Sequence, residues 1–227
     1  MENRTTKIIH LSQKGGCAAK IPAEYLRSIL SKVNFPATPD WVMIDGKSFD
    51  DASIIKLSNG KCIIQTLDFF TPIIDDPFVY GPIAAANSIS DVYAMGGVPL
   101  TCMGIMAFPH GELENEIVSE MLSGSLDIIS KSGAYLVGGH TVDNPAPLLG
   151  FSVTGEVEES EIWSNAGARV GDVIVLTKAI GTGTATAGVK RGALTTSDIA
   201  EEIASMIQLN DVASKLNANS IKVNAAT

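Results

Sequence analysis

Between residues 52 and 157 the chain alternates β-rich and helical runs, and this order limits the folds available to it. Residues 52–57 and 61–67 are rich in strand-forming residues and flank Ser58-Asn59-Gly60, a hairpin turn signal. Apolar residues at helical spacing predict helices at 82–95 and 113–131, and further strands are predicted at 100–108, 134–137 and 148–157. The order β-β-α-β-α-β-β predicts an α+β fold with a mostly antiparallel sheet and helices on one face.

The segments outside this pattern suggest a division into three parts. Residues 1–47 contain a Gly-Gly pair and three prolines, with one helix predicted at 23–32, and we interpret them as a mobile N-terminal arm. Residues 48–160 form the predicted main domain. A polar linker follows, and residues 167–227 are predicted to begin a second α+β domain that is incomplete.

The predicted second domain starts with a strand at 172–177, followed by Gly181-Thr182-Gly183-Thr184 and a helix. A Gly-rich turn before a helix is a weak phosphate-binding candidate, and it lacks the Lys of a Walker A motif.

The composition of the chain indicates where the protein is located and which classes of partner it does not bind. The chain has 227 residues, 45% of them hydrophobic, and a formal net charge of −9, which argues against nucleic acid or an anionic membrane as the main partner. Its three cysteines, Cys17, Cys62 and Cys102, are odd in number and widely spaced, which fits neither a disulfide framework nor a zinc site. Without a signal-peptide pattern or a long apolar run, a cytoplasmic protein is expected.

The N-terminal arm carries a candidate reactive thiol. Cys17 follows Gly15-Gly16 and lies between Lys14 and Lys20. Nearby ammonium groups favour the thiolate, which is the nucleophilic form, and the glycines let the loop move. The alternative is an incidental cysteine in a flexible segment.

Three aspartates form a candidate cation site. Asp51 precedes a predicted strand, Asp68 closes one, and Asp91 lies in the first predicted helix of the main domain, one turn after Asn87. A hard cation shared by the three carboxylates would satisfy them, and Mg²⁺ prefers such oxygen ligands and often links them to phosphates. The alternative is a set of caps and solvated charges.

A second glycine pair, in Gly138-Gly139-His140-Thr141, is predicted to follow the end of a strand. Backbone N–H groups exposed there can bind phosphate oxygens, with the Thr141 hydroxyl as a further donor. The alternative is a plain turn with a surface histidine.

Taken together, the motifs resemble those of the selenophosphate synthetase (selenide, water dikinase) family. The resemblance covers nearly the whole chain and rests on five motifs in order: residues 15–21, 50–52, 66–73, 87–97 and 138–141.

This resemblance implies a fold similar to aminoimidazole ribonucleotide synthetase and a homodimer formed by the sheets of the N-terminal domains. It also implies a phosphotransferase with paired acceptors, which converts ATP, selenide and water into selenophosphate, AMP and phosphate. Mg²⁺ is the implied metal cofactor, with K⁺ as a further candidate.

The family motifs assign roles to particular residues. Cys17 would handle selenium, and Lys20 would contact phosphate and assist its transfer. The implied metal ligands are Asp51, Asp68 and Asp91. The implied ATP-binding residues are Lys20, Ser48, Phe49, Asp50, Asp68, Asp91, Gly139, His140 and Thr141, the last three acting across the dimer.

Family members continue beyond residue 227 through an Asp-Val-Thr-Gly-Phe-Gly-like motif, so we expect this chain to be an N-terminal fragment with weak or no activity. Three alternatives stay open: another ATP-using member of the same superfold, a non-catalytic nucleotide-binding and dimerisation module, and a redox-sensing thiol protein.

Overall fold

A computed structural model describes residues 7–12, 15–212, 216 and 221–227, but not the side chains of Cys17 and Ala18. Within these residues, six strands form one sheet: β1 Val42–Ile44, β2 Ser53–Lys56, β3 Cys62–Phe70, β4 Val98–Phe108, β5 Tyr135–Asp143 and β6 Leu148–Val157. The α-helices are α1 Ala23–Leu30, α2 Pro77–Ala94, α3 Asn115–Lys131, α4 Thr182–Lys190 and α5 Ala200–Ile207. None of the described helices is long and apolar enough to cross a membrane.

The strand order is β1-β2-β3-β6-β4-β5, and every neighbouring pair is antiparallel except β4 and β5. The predicted α+β class and mostly antiparallel sheet are therefore confirmed. The hairpin between β2 and β3 turns at Gly60, whose φ of 87° suits a residue without a Cβ. In the register of β3 against β6, Asp68 lies opposite Phe151.

Helices α2 and α3 cover one face of this sheet, and the hydrophobic core lies between them and the strands. The small residues of α2 allow close packing. A Cβ added to Gly81 would lie 1.9 Å from the backbone oxygen of Met121 in α3, so the two helices touch through their backbones there. This packing fixes the position of the α2 face that looks onto β3.

Helix α2 begins five residues before the predicted start, because Asp76 and Pro77 form a stronger start signal than Pro82. The Asp76 carboxylate accepts a hydrogen bond from the Phe78 backbone N–H at 2.9 Å, and Pro77 occupies the first turn. Pro82 therefore lies inside the helix and not in its first turn.

Two predictions about strands were wrong. The predicted strand at 134–137 is longer: β5 runs to Asp143, so Gly138 to Thr141 lie inside a strand that pairs with β4. The predicted strand at 172–177 is absent, and Val173–Leu176 is exposed and pairs with no strand of the described chain. Apolar β-branched residues favour a strand only where a neighbouring strand supplies hydrogen bonds and packing.

The sheet face opposite α2 and α3 is open and apolar. It exposes side chains from the three strands β3, β4 and β5: Leu67, Phe69, Leu100, Met103, Val137 and Val142. We call these six residues the open face. A contiguous exposed apolar surface of this kind is typical of a protein–protein interface.

Candidate functional site

Asp68 and Asp91 are brought together by the packing of α2 on β3. The Asn87 side-chain amide of α2 donates a hydrogen bond to Asp68 Oδ2 at 2.6 Å. One turn later on the helix, Asp91 Oδ2 accepts a hydrogen bond from Thr66 Oγ1 at 2.5 Å. The predicted shared face of Asn87 and Asp91 is thus the face that looks onto β3.

Burial makes the charge of Asp91 unfavourable. The pKa of Asp91 is raised from 3.8 to about 6, chiefly by burial and then by repulsion from Asp68 and Asp51, against the Thr66 hydrogen bond and the charge of Lys20. Because both neighbouring carboxylates act on Asp91, the three predicted aspartates share one electrostatic environment. A cation placed among them would relieve this repulsion.

Lys20 reaches the same place from the N-terminal segment. Its Nζ lies 3.5 Å from Asp68 Oδ2, while the Asp68 side chain is only 15% exposed. The backbone of Asp68 is also fixed, because its carbonyl accepts a hydrogen bond from Ser88 Oγ at 3.0 Å. The Lys side chain is 62% exposed, so it can change partner when an anion arrives.

Asp51 supplies the observation that fits a metal ion best. Its Oδ2 is buried, and no hydrogen-bond donor of the described residues satisfies it. A buried carboxylate oxygen without a donor is costly unless a cation binds it. The described residues contain no group of three or more acidic, His or Cys side chains close enough to hold a metal by themselves. A Mg²⁺ ion held by one or two carboxylates and completed by phosphate oxygens matches this arrangement.

Beside Asp51, a polar cavity of about 480 Å³ opens between the loop before β2 and the strands β3 and β6. Its lining includes Asp45, Asp50, Asp51, Gln65, Thr66 and Ser152. Thr66 was missed in the sequence analysis, although its position could have been found. It alternates with exposed residues along β3 in the buried register of Cys62 and Ile64, where a hydroxyl needs a partner.

Ser48, Phe49 and Asp50 lie on the loop at the edge of this cavity. The Asp50 carboxylate accepts a hydrogen bond from the Asn165 backbone N–H at 2.7 Å, and the Phe49 carbonyl accepts one from the Asn165 side chain at 2.7 Å. Phe49 has a φ of 58°, a strained value for a residue with a side chain, and its ring lies 4.5 Å from the Arg27 guanidinium. Ser48 Oγ donates to the Asp45 carbonyl at 2.9 Å.

Gly139, His140 and Thr141 lie away from the aspartates within one chain. They are in the edge strand β5, which β4 and β6 separate from β3, or about 14 Å at normal strand spacing. Gly139 is needed for packing, because a Cβ there would lie 2.3 Å from the Gly104 backbone oxygen. The predicted phosphate-binding turn is therefore a strand segment, and contact of these residues with a nucleotide across a dimer stays a prediction.

Two of the three cysteines are unsuited to nucleophilic chemistry. Cys62 and Cys102 are free and buried, and burial raises the pKa of Cys102 to about 11. Cys17, the predicted selenium-handling residue, has a side chain outside the described residues.

Comparison with known proteins shows similarity to one family model and to several named proteins. Residues 49–157 match the model of the AIR synthase related protein, N-terminal domain. The chain is 50% identical over 216 residues to a selenide, water dikinase of Nitrosomonas eutropha, covering 95% of this chain and 62% of that protein. It is 42% identical over 225 residues to a selenide, water dikinase of Clostridioides difficile, covering 97% of this chain and 64% of that protein.

The chain is similar to selenide, water dikinases over nearly its whole length. It spans less than two thirds of the length of these two relatives, 62% and 64%. The fold is similar to that of a thiamine-monophosphate kinase from Stenotrophomonas maltophilia, with a TM-score of 0.59, 19% identity, and coverage of 86% of this chain and 63% of that one. The predicted synthetase-like fold is therefore confirmed.

Proposed function

We propose that this chain carries the ATP-binding and metal-binding part of a selenide, water dikinase. The reaction would convert ATP, selenide and water into selenophosphate, AMP and phosphate. The observation that carries the proposal is the convergence of Asp51, Asp68 and Asp91, with one buried Asp51 oxygen left without a donor. The similarity to selenide, water dikinases suggests the reaction.

The proposed reaction requires the protein to bind two anions close together, since ATP and hydroselenide both carry negative charge. Asp51 and Asp91, with Asp68 beside them, would hold Mg²⁺, which would neutralise the charge of the phosphates. Lys20, now beside Asp68, is placed to move onto a phosphate oxygen. Positioning and charge stabilisation of this kind account for most of the catalysis in phosphoryl transfer.

Cys17 lies three residues before Lys20, so the family role of this thiol would put selenium next to the phosphate-binding lysine. The Cys17→Ser variant should abolish selenophosphate formation and leave ATP binding unchanged. Loss of ATP binding in that variant would remove the reason for assigning selenium to Cys17.

A homodimer completes the proposal. The open face exposes apolar side chains in the centre of the sheet, among them Phe69 at 43% and Met103 at 50%. His140 of a second chain, packed sheet to sheet, would approach the cavity beside Asp51, whose lining includes Leu67 of the open face. The Phe69→Lys variant should shift the chain to a monomer in analytical ultracentrifugation, whereas Phe78→Lys, which removes an exposed Phe on α2, should not. A dimer that persists in Phe69→Lys would contradict sheet-to-sheet pairing.

The deciding experiment measures two quantities on the chain: binding of ATP with Mg²⁺, and AMP formation that depends on selenide. Asp51→Asn should lose Mg²⁺-dependent ATP binding. Asp127→Asn, an exposed carboxylate paired with Lys131 on α3, is the matched control and should bind normally. If Asp51→Asn binds Mg²⁺ and ATP as well as the unchanged chain, the proposed site is wrong.

A further inference from the structure

A second cavity lies between α2, α4, α5 and the Gly15-Gly16 segment, and has a volume of about 640 Å³. One face of α4 lines it, through residues one turn apart: Thr182, Thr186 and Lys190. We call it the cationic cavity, because Lys178, Lys190 and Arg191 all contribute to its wall.

The charge of the cationic cavity is the opposite of that of the chain. Among the described residues, its lining contains three cationic side chains and no Asp or Glu, although the chain has a net charge of −9. A low-dielectric pocket lined by positively charged side chains concentrates anions.

The two lysines have neutral partners, so their charge remains available. Lys178 Nζ donates to the Gln208 carbonyl, and Lys190 Nζ donates to the Ser12 carbonyl at 2.7 Å. Burial lowers the pKa of both lysines, with no opposing effect of a described carboxylate. A bound anion would replace this missing counter-charge.

The cavity adjoins the aspartate site. Asn87 lines it and also donates its hydrogen bond to Asp68, and Gly15-Gly16 at its rim immediately precede Cys17. An anion in the cavity would therefore lie next to the site where we place the metal-bound nucleotide.

We propose that the cationic cavity binds a small phosphate-bearing anion that carries no metal ion. The cavity lining contains no carboxylate to bind Mg²⁺, which distinguishes it from the site formed by Asp51, Asp68 and Asp91. Its three cationic side chains suit a phosphate group, and its apolar side chains, which include Phe70 and Met206, suit an organic group attached to one. The proposed reaction releases both phosphate and AMP. The choice of these two anions as ligands therefore rests on the proposed function. The presence and the positive charge of the cavity do not depend on it.

The test measures binding of inorganic phosphate and, separately, of AMP to the 227-residue chain by calorimetry in EDTA. Lys178→Gln and Lys190→Gln should each weaken binding roughly tenfold, the usual effect of removing one charge-assisted hydrogen bond. Lys190→Arg should largely preserve it. Lys131→Gln, an exposed lysine on α3, is the control and should bind like the unchanged chain.

Arg191 is exposed, so Arg191→Gln keeps the test valid if a lysine variant fails to fold. Tighter binding of AMP than of phosphate would show that the apolar wall takes part, and equal binding would show that the phosphate group alone is recognised. The proposal is overturned if neither anion binds at millimolar concentration in EDTA, or if the glutamine variants bind as well as the control.

Asp51→Asn separates this proposal from the proposed function. It should lose Mg²⁺-dependent ATP binding and keep metal-free phosphate or AMP binding. Loss of both in a folded variant would show that the two sites are one and would contradict a separate anion site.

Discussion

The buried charge of Asp91 should destabilise the metal-free chain, so the neutral variant Asp91→Asn should be more stable. A pKa of about 6 in the folded chain, against 3.8 as the ordinary value, means that folding favours the protonated carboxyl. At about 1.4 kcal/mol per pH unit, keeping Asp91 ionised at pH 7.5 costs about 3 kcal/mol. Asp91→Asn removes this cost and keeps an oxygen that can accept the Thr66 hydrogen bond.

The stabilisation gained by Asp91→Asn should increase with pH. Because the folded chain holds this proton more tightly than the unfolded chain, the stability of the unchanged chain should fall as the pH rises from about 4 to about 6. The advantage of Asp91→Asn should therefore be about 3 kcal/mol at pH 7.5, about 1 kcal/mol at pH 4.5, and almost absent near pH 3. Urea unfolding in EDTA at these three pH values measures it.

Although Asp91→Asn should stabilise the metal-free chain, it should abolish the stabilisation that Mg²⁺ and ATP give. Mg²⁺ with ATP should raise the unfolding free energy of the unchanged chain and leave that of Asp91→Asn unaltered, since only a chain that binds a ligand is stabilised by it. Asp127→Asn serves as the control for the loss of a surface carboxylate. If Asp91→Asn is no more stable than the unchanged chain at pH 7.5 in EDTA, the reasoning from burial is refuted.

Two further predictions concern the packing that holds this site. Gly81→Ala should destabilise the chain by about 1–3 kcal/mol, because the new methyl would overlap the Met121 backbone oxygen, whereas Gly46→Ala, with open space around it, should change the urea midpoint little. Tyr80→Phe should cost about 1–3 kcal/mol in the same assay, because the buried Tyr80 hydroxyl donates to the Phe70 carbonyl; an unchanged midpoint would show that this carbonyl finds another donor.

The proximity of Asp68 and Asp91 was predictable in part, because the elements that carry them follow from local patterns. The strand containing Asp68 and the helix containing Asp91 were both evident from hydrophobic spacing, and the four-residue step from Asn87 gave the face that they share. Their distances were not predictable, because they depend on how closely α2 approaches the sheet. That approach is set by contacts such as Gly81 on α3, which no local pattern reveals.

The errors share a cause, which is that strands depend on neighbours distant in sequence. Gly138-Gly139 suggested the end of a strand, yet β5 continues because β4 lies alongside and Gly104 leaves room for Gly139. Val173–Leu176 shows the reverse case, where strand-forming residues pair with no described strand and remain exposed. In both places local propensity was read correctly, and the pairing decided the result.

Under the two proposals, the acidic and the cationic environments of the chain would bind metal-bound and metal-free phosphates separately. Carboxylates bind a phosphate only through a cation, whereas lysines and arginines bind it directly. The neutral side chain of Asn87 belongs to both places, since it donates to Asp68 and lines the cationic cavity. A charged residue at this position would favour one environment over the other. An amide can serve the carboxylate on one side without repelling an anion on the other, which is what passage of a phosphate group between the two sites would need.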